Sequence, residues 1–125
     1  MTVSKFIDSS VWIDYLINGN HKDLIDTEGI LLISVLSIFE IKKKLIKSNV
    51  PGNITVKSID FIKKRSLLID LTAEIAEKSV EVSVKNNLPA IDSLIYISAI
   101  ESNATLFTLD NDFRGLKNVV VLAVD

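Results

Sequence analysis

The sequence predicts an α/β fold of three layers, in which helices cover both faces of a central, mainly parallel sheet of about five strands. Short apolar segments alternate along the chain with longer segments of helical periodicity, which is typical of parallel strands joined by helices. The 125 residues contain no internal repeat, low-complexity segment or linker. We therefore expect one domain that spans residues 1–125 and has a single core.

The first half of the chain begins with a strand predicted over residues 3–7. Ser9 or Ser10 is then expected to cap a helix, which ends at an Asn-Gly-Asn sequence. Ser34 follows the second strand and is expected to cap a longer helix that extends to about Lys47. The other elements predicted in this half are a short polar helix over 21–27, a strand over 30–33 and a helix over 54–65.

The second half continues the alternation of strands and helices. Thr72 is expected to cap a helix that runs to about Lys85. Pro89, a favoured residue in the first helical turn, opens an apolar helix that ends near Asn103. The strands predicted in this half cover residues 67–69, 105–109 and 119–123.

Composition excludes several classes of protein. The chain has no cysteine, which excludes disulfides, thiol catalysis and thiolate metal sites. The longest apolar stretch, residues 29–39, contains Ser34 and Ser37 and is too short to cross a bilayer, although the mean hydropathy of +0.37 is high. Lys5 and Asp8 interrupt any apolar segment of a secretory leader. We therefore expect a cytoplasmic protein that does not associate with membranes.

The charge balance depends on what the acidic residues do. A formal net charge of −2 argues by itself against non-specific binding to nucleic acid. If four acids hold a metal ion, the remaining charge becomes +2. The basic residues then form either phosphate contacts or the solvated faces of two helices, and the sequence favours neither interpretation. They lie in two stretches, one with Lys42 and the candidate phosphate contacts Lys43, Lys44 and Lys47, the other with Lys63, Lys64 and Arg65.

Five carboxylates lie inside apolar segments or directly after a predicted strand. Ionised carboxylates are rarely buried without a compensating partner, and a divalent cation is one such partner. In parallel α/β sheets, sites form in the crevice outside the carboxyl ends of the strands. Three of the five acids come just past such an end. The five are Asp8, Glu40, Asp92, Asp110 and Asp112.

Asp92 is the strongest single case among them. The helix around it is apolar nearly all the way round, which is typical of an interior helix. The helix dipole favours a carboxylate in the first turn by only about 0.3–1 kcal/mol. Burying a charge costs several kcal/mol, so a further partner is expected.

The other acids also have purely structural interpretations. Asp8 precedes a helix and can be a capping or turn residue. Glu40 lies opposite the apolar stripe of its helix, where an ion pair with Lys44 is worth about 0.2–0.5 kcal/mol. Asp110 or Asp112 can shape an Asx turn and cap a short helical turn while the other binds a metal ion.

The ligand types indicate which ion such a site holds. Oxygen donors, no cysteine and a single histidine select Mg²⁺ or Mn²⁺ over zinc or copper. His21, the one histidine, lies among polar residues and is expected at the surface. An Mg²⁺ ion held by carboxylates suits phosphodiester hydrolysis. The chain has neither a phosphate-binding glycine loop nor a serine nucleophile motif.

Four segments together resemble the PIN domain, and in particular the compact VapC-type toxins of toxin–antitoxin pairs. Each motif is weak alone, but the set is fairly specific because the acids must fall in the right order on the right elements. The similarity spans essentially the whole chain. The segments are FIDSSVWIDYL, SVLSIFEI, LPAIDSLIYISAI and LFTLDNDF.

This resemblance implies a PIN-like fold and a metal-dependent ribonuclease that acts on single-stranded RNA. It also implies a dimer and a small antitoxin protein as inhibitor. Ser10 and Thr108 match hydroxyl positions that bind the acids or the waters of the metal. Family members differ in which acid of the last motif is the ligand. The implied catalytic residues are Asp8, Glu40, Asp92 and Asp110, and the implied metal ligands are Asp8, Asp92, Asp110 and Asp112.

Three other predictions accompany this one. A signalling receiver with an acidic Mg²⁺ pocket would use Asp70 after the third strand, but it needs an acid pair after the first strand and a lysine after the last, which the chain lacks. A PIN-like domain can also serve in RNA processing, or only in binding, outside a toxin pair. Apolar stripes over 35–47 and 54–65 predict a homodimer through that region.

Overall fold

The computed structural model describes residues 4–123 and shows five parallel strands flanked by helices, which confirms the predicted fold class. The predicted strand residue Val3 lies outside the described residues. The strands are β1 (Ser4–Ile7), β2 (Leu31–Ser34), β3 (Ser66–Ile69), β4 (Ala104–Thr108) and β5 (Val119–Val121). The α-helices are α1 (Ser9–Asn18), α2 (Lys22–Ile25), α3 (Val35–Lys47), α4 (Gly52–Arg65), α5 (Ala73–Asn86) and α6 (Ala90–Glu101), and a 3₁₀ turn covers Asn111–Phe113.

The strands are arranged in the order β3-β2-β1-β4-β5, and each neighbouring pair is parallel. The order reverses between β1 and β4, which lie side by side in the centre. In open parallel sheets such a reversal leaves a crevice at the carboxyl ends of the two strands. The fold therefore places the segments after Ile7 and after Thr108 at one edge.

Two apolar clusters cover the two faces of this sheet. Ile7, Leu31 and Ile33 pack with helices α1, α3 and α4 on one side. Phe6 and Leu32 point to the other side and pack with α6. This alternation follows from the period of two residues in a strand, since successive side chains point to opposite faces. Within the described residues, no helix combines the length and the apolar character that crossing a membrane requires.

Two of the predicted helix caps are confirmed and one is wrong. The Ser34 side chain accepts a hydrogen bond from the Leu36 amide, and Thr72 does the same for Ile75. Neither Ser9 nor Ser10 caps α1, because that helix already begins at Ser9. Both serines are instead in the first turn, where their hydroxyls are free to bind other side chains.

The apolar stripe predicted on α3 divides between two environments. Ile41 and Leu45 are buried against the sheet, whereas Phe39 and Ile46 are 68% and 58% exposed. The stripe is wider than the contact that one sheet face offers, so only one edge of it joins the core. The other edge remains an exposed apolar surface.

The second basic stretch is not uniformly available for phosphate. The Arg65 guanidinium donates hydrogen bonds to the carbonyls of Ile25, Thr27 and Gly29 at 2.9, 2.6 and 3.2 Å. These bonds attach the end of α4 to the loop before β2. Arg65 therefore has a structural role.

Candidate metal centre and adjoining cleft

The carboxyl ends of β1 and β4 bring together segments that are about a hundred residues apart in the sequence. The Asp8 amide donates to the Phe107 carbonyl at 3.0 Å, and the Leu109 amide donates to the Ser10 hydroxyl at 3.0 Å. Asp8 leaves β1 and Asp110 leaves β4 at the same edge of the sheet. This is the crevice that the strand order creates.

Asp8 is the most buried of the acids, with 5% of its surface exposed. Its Oδ2 accepts hydrogen bonds from the hydroxyls of Thr108 at 2.7 Å and Ser10 at 2.9 Å. Burial raises the pKa of Asp8 above its ordinary value, and the charge of Asp110 raises it further. The pKa is lowered in part by hydrogen bonds from the hydroxyls of Thr108 and Ser10 and from the Ser9 amide. Ser10 and Thr108 thus fix the carboxylate in one orientation.

Asp92, Asp110 and Asp112 form a second group of acidic residues in the crevice. Each offers a carboxylate oxygen, and the three oxygens lie within 4.8 Å of one another. Asp92 comes from the first turn of α6, whereas the other two flank the start of the 3₁₀ turn. Asp110 Oδ1 accepts the Asp112 amide at 2.9 Å, so Asp110 caps this turn as well as facing Asp92.

The negative charges of this group are not balanced by basic side chains. Among residues 4–123, no lysine, arginine or histidine nitrogen lies within 4.0 Å of any of the five acids. Burial and then the charges of Asp110, Asp8, Glu40 and Asp112 raise the pKa of Asp92 to about 7. The fold holds these like charges close together, and a cation would relieve their repulsion.

Glu40 reaches the same crevice from α3. Its Oε1 accepts a hydrogen bond from the Ser9 hydroxyl at 3.2 Å. Burial and the charge of Asp8 raise the pKa of Glu40, and the Ser9 hydrogen bond partly opposes this. The alternative ion pair with Lys44 does not form in the described part of the chain. Glu40 is therefore coupled to the acids but lies outside the group of three.

The structure thus arranges the predicted site residues in three parts. Asp92, Asp110 and Asp112 share one space. Asp8 lies outside this group of three and accepts hydrogen bonds from Ser10 and Thr108. Glu40 is near enough for its charge to act on Asp92. Sequence reasoning missed Ser9, the residue that binds Glu40, because the two are far apart in the chain. The one feature of the sequence that could have identified Ser9 is its position next to Asp8, at the start of α1.

The donor atoms suit a hard divalent cation. Carboxylate oxygens from three aspartates converge, and Asp8 adds a buried carboxylate whose charge acts on Asp92. His21 is not one of these ligands, because its Nε2 lies 2.7 Å from Oδ2 of Asp14 on α1. Its side chain is 14% exposed, so it is less accessible than the sequence predicts. Oxygen-only donors are the set that Mg²⁺ and Mn²⁺ take in proteins.

Replacement of Thr108 by Val is expected to destabilise the fold. The change keeps the size of the side chain but removes a hydroxyl that donates to Asp8 and accepts from the Asp110 amide at 3.0 Å. Buried polar groups left without a partner cost about 1–3 kcal/mol. We expect a loss of that size in the free energy of unfolding, measured by urea denaturation near neutral pH. Thr108→Ser keeps the hydroxyl and is the control; equal stabilities of the Val and Ser variants would contradict the role given to this network.

A cleft of ≈ 540 Å³ adjoins the acids along α3. Its polar lining consists of Ser9 and Glu40 and of three lysines that follow Glu40 along α3, Lys43, Lys44 and Lys47. Its remaining lining is apolar and consists of Ile13, Leu36, Phe39 and Ile91. The cleft therefore combines an acidic residue, apolar side chains and exposed lysines in one lining.

Comparison with known proteins finds a family model and several similar structures. The model described as the PIN domain matches residues 5–119. No curated protein matches the chain in sequence. A toxin–antitoxin complex from Klebsiella pneumoniae superimposes with a TM-score of 0.75 at 22% identity, covering 93% of this chain and 95% of that one.

Two further solved structures have the same degree of similarity. VapBC2 from Rickettsia felis, bound to a DNA fragment from the promoter, has a TM-score of 0.75 at 20% identity over 94% of this chain and 96% of that one. Mycobacterium tuberculosis VapC20, a toxin that cleaves the sarcin–ricin loop, has a TM-score of 0.75 at 15% identity over 94% and 98%. At these identities the likeness establishes a shared fold.

Proposed function

Because the chain belongs to the PIN domain family, we propose that it is a metal-dependent endoribonuclease that cleaves single-stranded RNA and acts as the toxin of a toxin–antitoxin pair. The observation that carries this proposal is the convergence of acids from β1, α3, α6 and the turn after β4 with no basic partner among the described residues. Structural relatives that are toxins or toxin–antitoxin complexes support the choice among PIN domain functions.

In this proposal the acids of the crevice hold Mg²⁺ or Mn²⁺. Such an ion, when bound, would polarise a phosphoryl oxygen and lower the pKa of a bound water. Asp92 supplies ligand oxygens together with Asp110, Asp112 or both, and Asp8 is the further ligand that the family resemblance implies. Ser10 and Thr108 are positioning residues, because they hold the Asp8 carboxylate in one orientation.

Glu40 and the lysines act on the substrate in this proposal. The raised pKa of Glu40 suits a carboxyl group that accepts a proton from the attacking water, and Ser9 orients its Oε1. Lys43, Lys44 and Lys47 are exposed along the cleft, and no carboxylate of residues 4–123 lies within 4.0 Å of them. Free lysines beside an acidic centre suit the phosphates of an RNA strand.

The sheet order argues against the receiver alternative. Receivers with the doubly wound order 2-1-3-4-5 place β3 next to β1. Here β3 pairs with β2 at one edge of the sheet, so Asp70 follows a strand that is not a neighbour of β1. A phosphorylation site formed by Asp8 and Asp70 is therefore not supported.

The test of the proposed activity uses end-labelled single-stranded RNA and the same sequence as a duplex. With Mn²⁺ present, we expect the single strand to be cut internally and the duplex to remain intact. Excess EDTA should stop the reaction, and added Mg²⁺ or Mn²⁺ should restore it. Equal cleavage in EDTA after removal of contaminating nuclease would refute the metal dependence.

A toxin role predicts two protein partners. The relatives described as toxin–antitoxin complexes suggest a small antitoxin protein for this chain. Co-expression should then give a stable complex in which RNA cleavage is inhibited. A small gene directly upstream of this one is the expected source of that protein, and uninhibited cleavage in the complex would contradict the assignment.

We also propose a homodimer through α3 and α4, where apolar side chains are left outside the core. Ile46 and Val56 are each 58% exposed and border one groove between these helices. Val56→Glu is expected to halve the mass measured by light scattering at micromolar concentration, because it buries a charge in the interface. Val84→Glu on α5 is the control, since Val84 is 78% exposed and does not line the groove. A monomeric wild-type protein would contradict the proposal.

A further inference from the structure

The cleft beside the acids has apolar walls that the core does not use. Ile13 comes from α1, Leu36 and Phe39 come from α3, and Ile91 comes from α6. Phe39 is 68% exposed and Ile91 is 42% exposed, so packing in the core does not account for apolar residues at these two positions. Three helices thus present apolar surface to one open space.

The lining of the cleft carries both signs of charge. Glu40, hydrogen-bonded to Ser9 and coupled to Asp8, is the acidic residue. The three lysines follow Glu40 along α3, and Lys43 Nζ lies over one face of the Phe39 ring, 5.9 Å from its centre. A largely exposed aromatic ring next to ammonium groups is the combination that stacks a base on its other face and binds the adjoining phosphates.

We propose that this cleft binds one unpaired base of the RNA strand next to the phosphate that is cut, with the Phe39 ring as the stacking surface. This inference rests on the proposed ribonuclease function and adds a substrate subsite to it. The volume of ≈ 540 Å³ lies within the range of small-ligand sites. The three lysines complement a polyanion, whereas a predominantly apolar peptide would leave three charges without a partner.

A base in this position accounts for the proposed preference for a single strand. In a duplex both faces of a base are covered by its neighbours, and the base must be unstacked before it can pack against a side chain. The apolar lining, which includes Leu36 and Ile91, accepts an unstacked base without requiring a particular hydrogen-bonding edge. The cleft therefore selects an unpaired nucleotide and only weakly selects its identity.

The test measures binding without catalysis, in EDTA, by fluorescence anisotropy of a short labelled RNA and of an oligomer with the same sugar-phosphate backbone but no bases. Phe39→Leu is expected to weaken binding of the RNA by about 5- to 150-fold, since base stacking on an aromatic ring accounts for a loss of that size. It should leave binding of the abasic oligomer unchanged. Phe39→Trp should retain RNA binding, because it keeps an aromatic face.

Two controls separate this inference from the proposed function. Lys47→Ala should weaken binding of both oligomers equally, and Val84→Ala, an exposed apolar change outside the cleft, should weaken neither. Light scattering of each variant checks that its assembly is unchanged. If Phe39→Leu leaves RNA binding intact, or weakens both oligomers alike, the base site is refuted while the ribonuclease proposal stands. If the lysine change has no effect either, the RNA-binding role of this face is refuted as well.

Discussion

Asp92→Asn and Asp8→Asn are each expected to lower the rate of RNA cleavage by roughly 10²–10³-fold or more. Both changes keep the shape of the side chain and remove one negative charge from the crevice. Electrostatic stabilisation by a bound cation is worth several kcal/mol in the transition state, and about 1.36 kcal/mol corresponds to a factor of ten in rate. The rate is measured with labelled single-stranded RNA at saturating Mn²⁺.

The matched control for these variants is Asp60→Asn. Asp60 is an exposed acid on α4 that is not one of the crevice residues, so its replacement changes the net charge equally but should leave the rate unchanged. Thermal unfolding of each variant confirms that the fold is retained. Cleavage by Asp92→Asn at the wild-type rate would show that the observed activity does not come from this crevice.

The second large effect concerns the order of stability of the wild type and Asp92→Asn, which should reverse when the metal ion is added. In the metal-free protein, Asp92→Asn should be more stable than the wild type at a pH one unit above the Asp92 pKa of about 7. We expect the free energy of unfolding of Asp92→Asn to exceed that of the wild type by about 1–2 kcal/mol. This figure is smaller than the full pKa shift implies, because the Asp92 side chain is partly exposed and solvent screens its charge. The reason is that the wild type must ionise Asp92 beside other carboxylates, whereas the amide carries no charge.

The pH dependence has a definite sign. The folded-state pKa of Asp92 lies above its ordinary value of 3.8, so between these values the folded protein holds a proton that the unfolded chain has lost. Wild-type stability from this group is therefore greatest below the ordinary pKa and falls as the pH rises to about 7. The advantage of Asp92→Asn should vanish at the acidic end of this window. Urea denaturation at several pH values measures it.

Addition of Mn²⁺ should invert the order of stabilities. A ligand at a hundred times its dissociation constant stabilises the folded state by about 2.7 kcal/mol, and the wild type should gain this amount. Asp92→Asn should gain much less, because it lacks one ligand oxygen. A metal-free wild type that is more stable than the variant above neutral pH would contradict the unbalanced charge that we assign to the crevice.

Much of this site could be predicted from local sequence. Carboxyl ends of parallel strands meet at one edge, so acids placed just after strands, such as Asp8 and Asp110, are predictably close. Asp92 stands out because an interior helix has no other reason to carry a charge. The dual role of Asp110, which caps the 3₁₀ turn and also faces Asp92, follows from local turn chemistry.

Other features of the site depend on tertiary packing, which cannot be predicted from a local sequence pattern. The contact between Ser9 and Glu40 requires α1 and α3 to lie side by side, and the helical wheel placed Glu40 only on the side away from the apolar stripe. The division of the α3 stripe into buried Ile41 and exposed Phe39 depends on how much of the helix the sheet can cover. For the same reason the cleft beside the acids became visible only in the folded chain.

The most direct test of the metal centre is anomalous scattering from crystals grown with Mn²⁺ and measured near the manganese absorption edge. We predict a strong difference peak among the carboxylate oxygens of Asp92, Asp110 and Asp112, on the side that faces Asp8. No such peak, or a lysine or arginine side chain occupying that space, would contradict the proposal that these acids converge to bind a divalent cation.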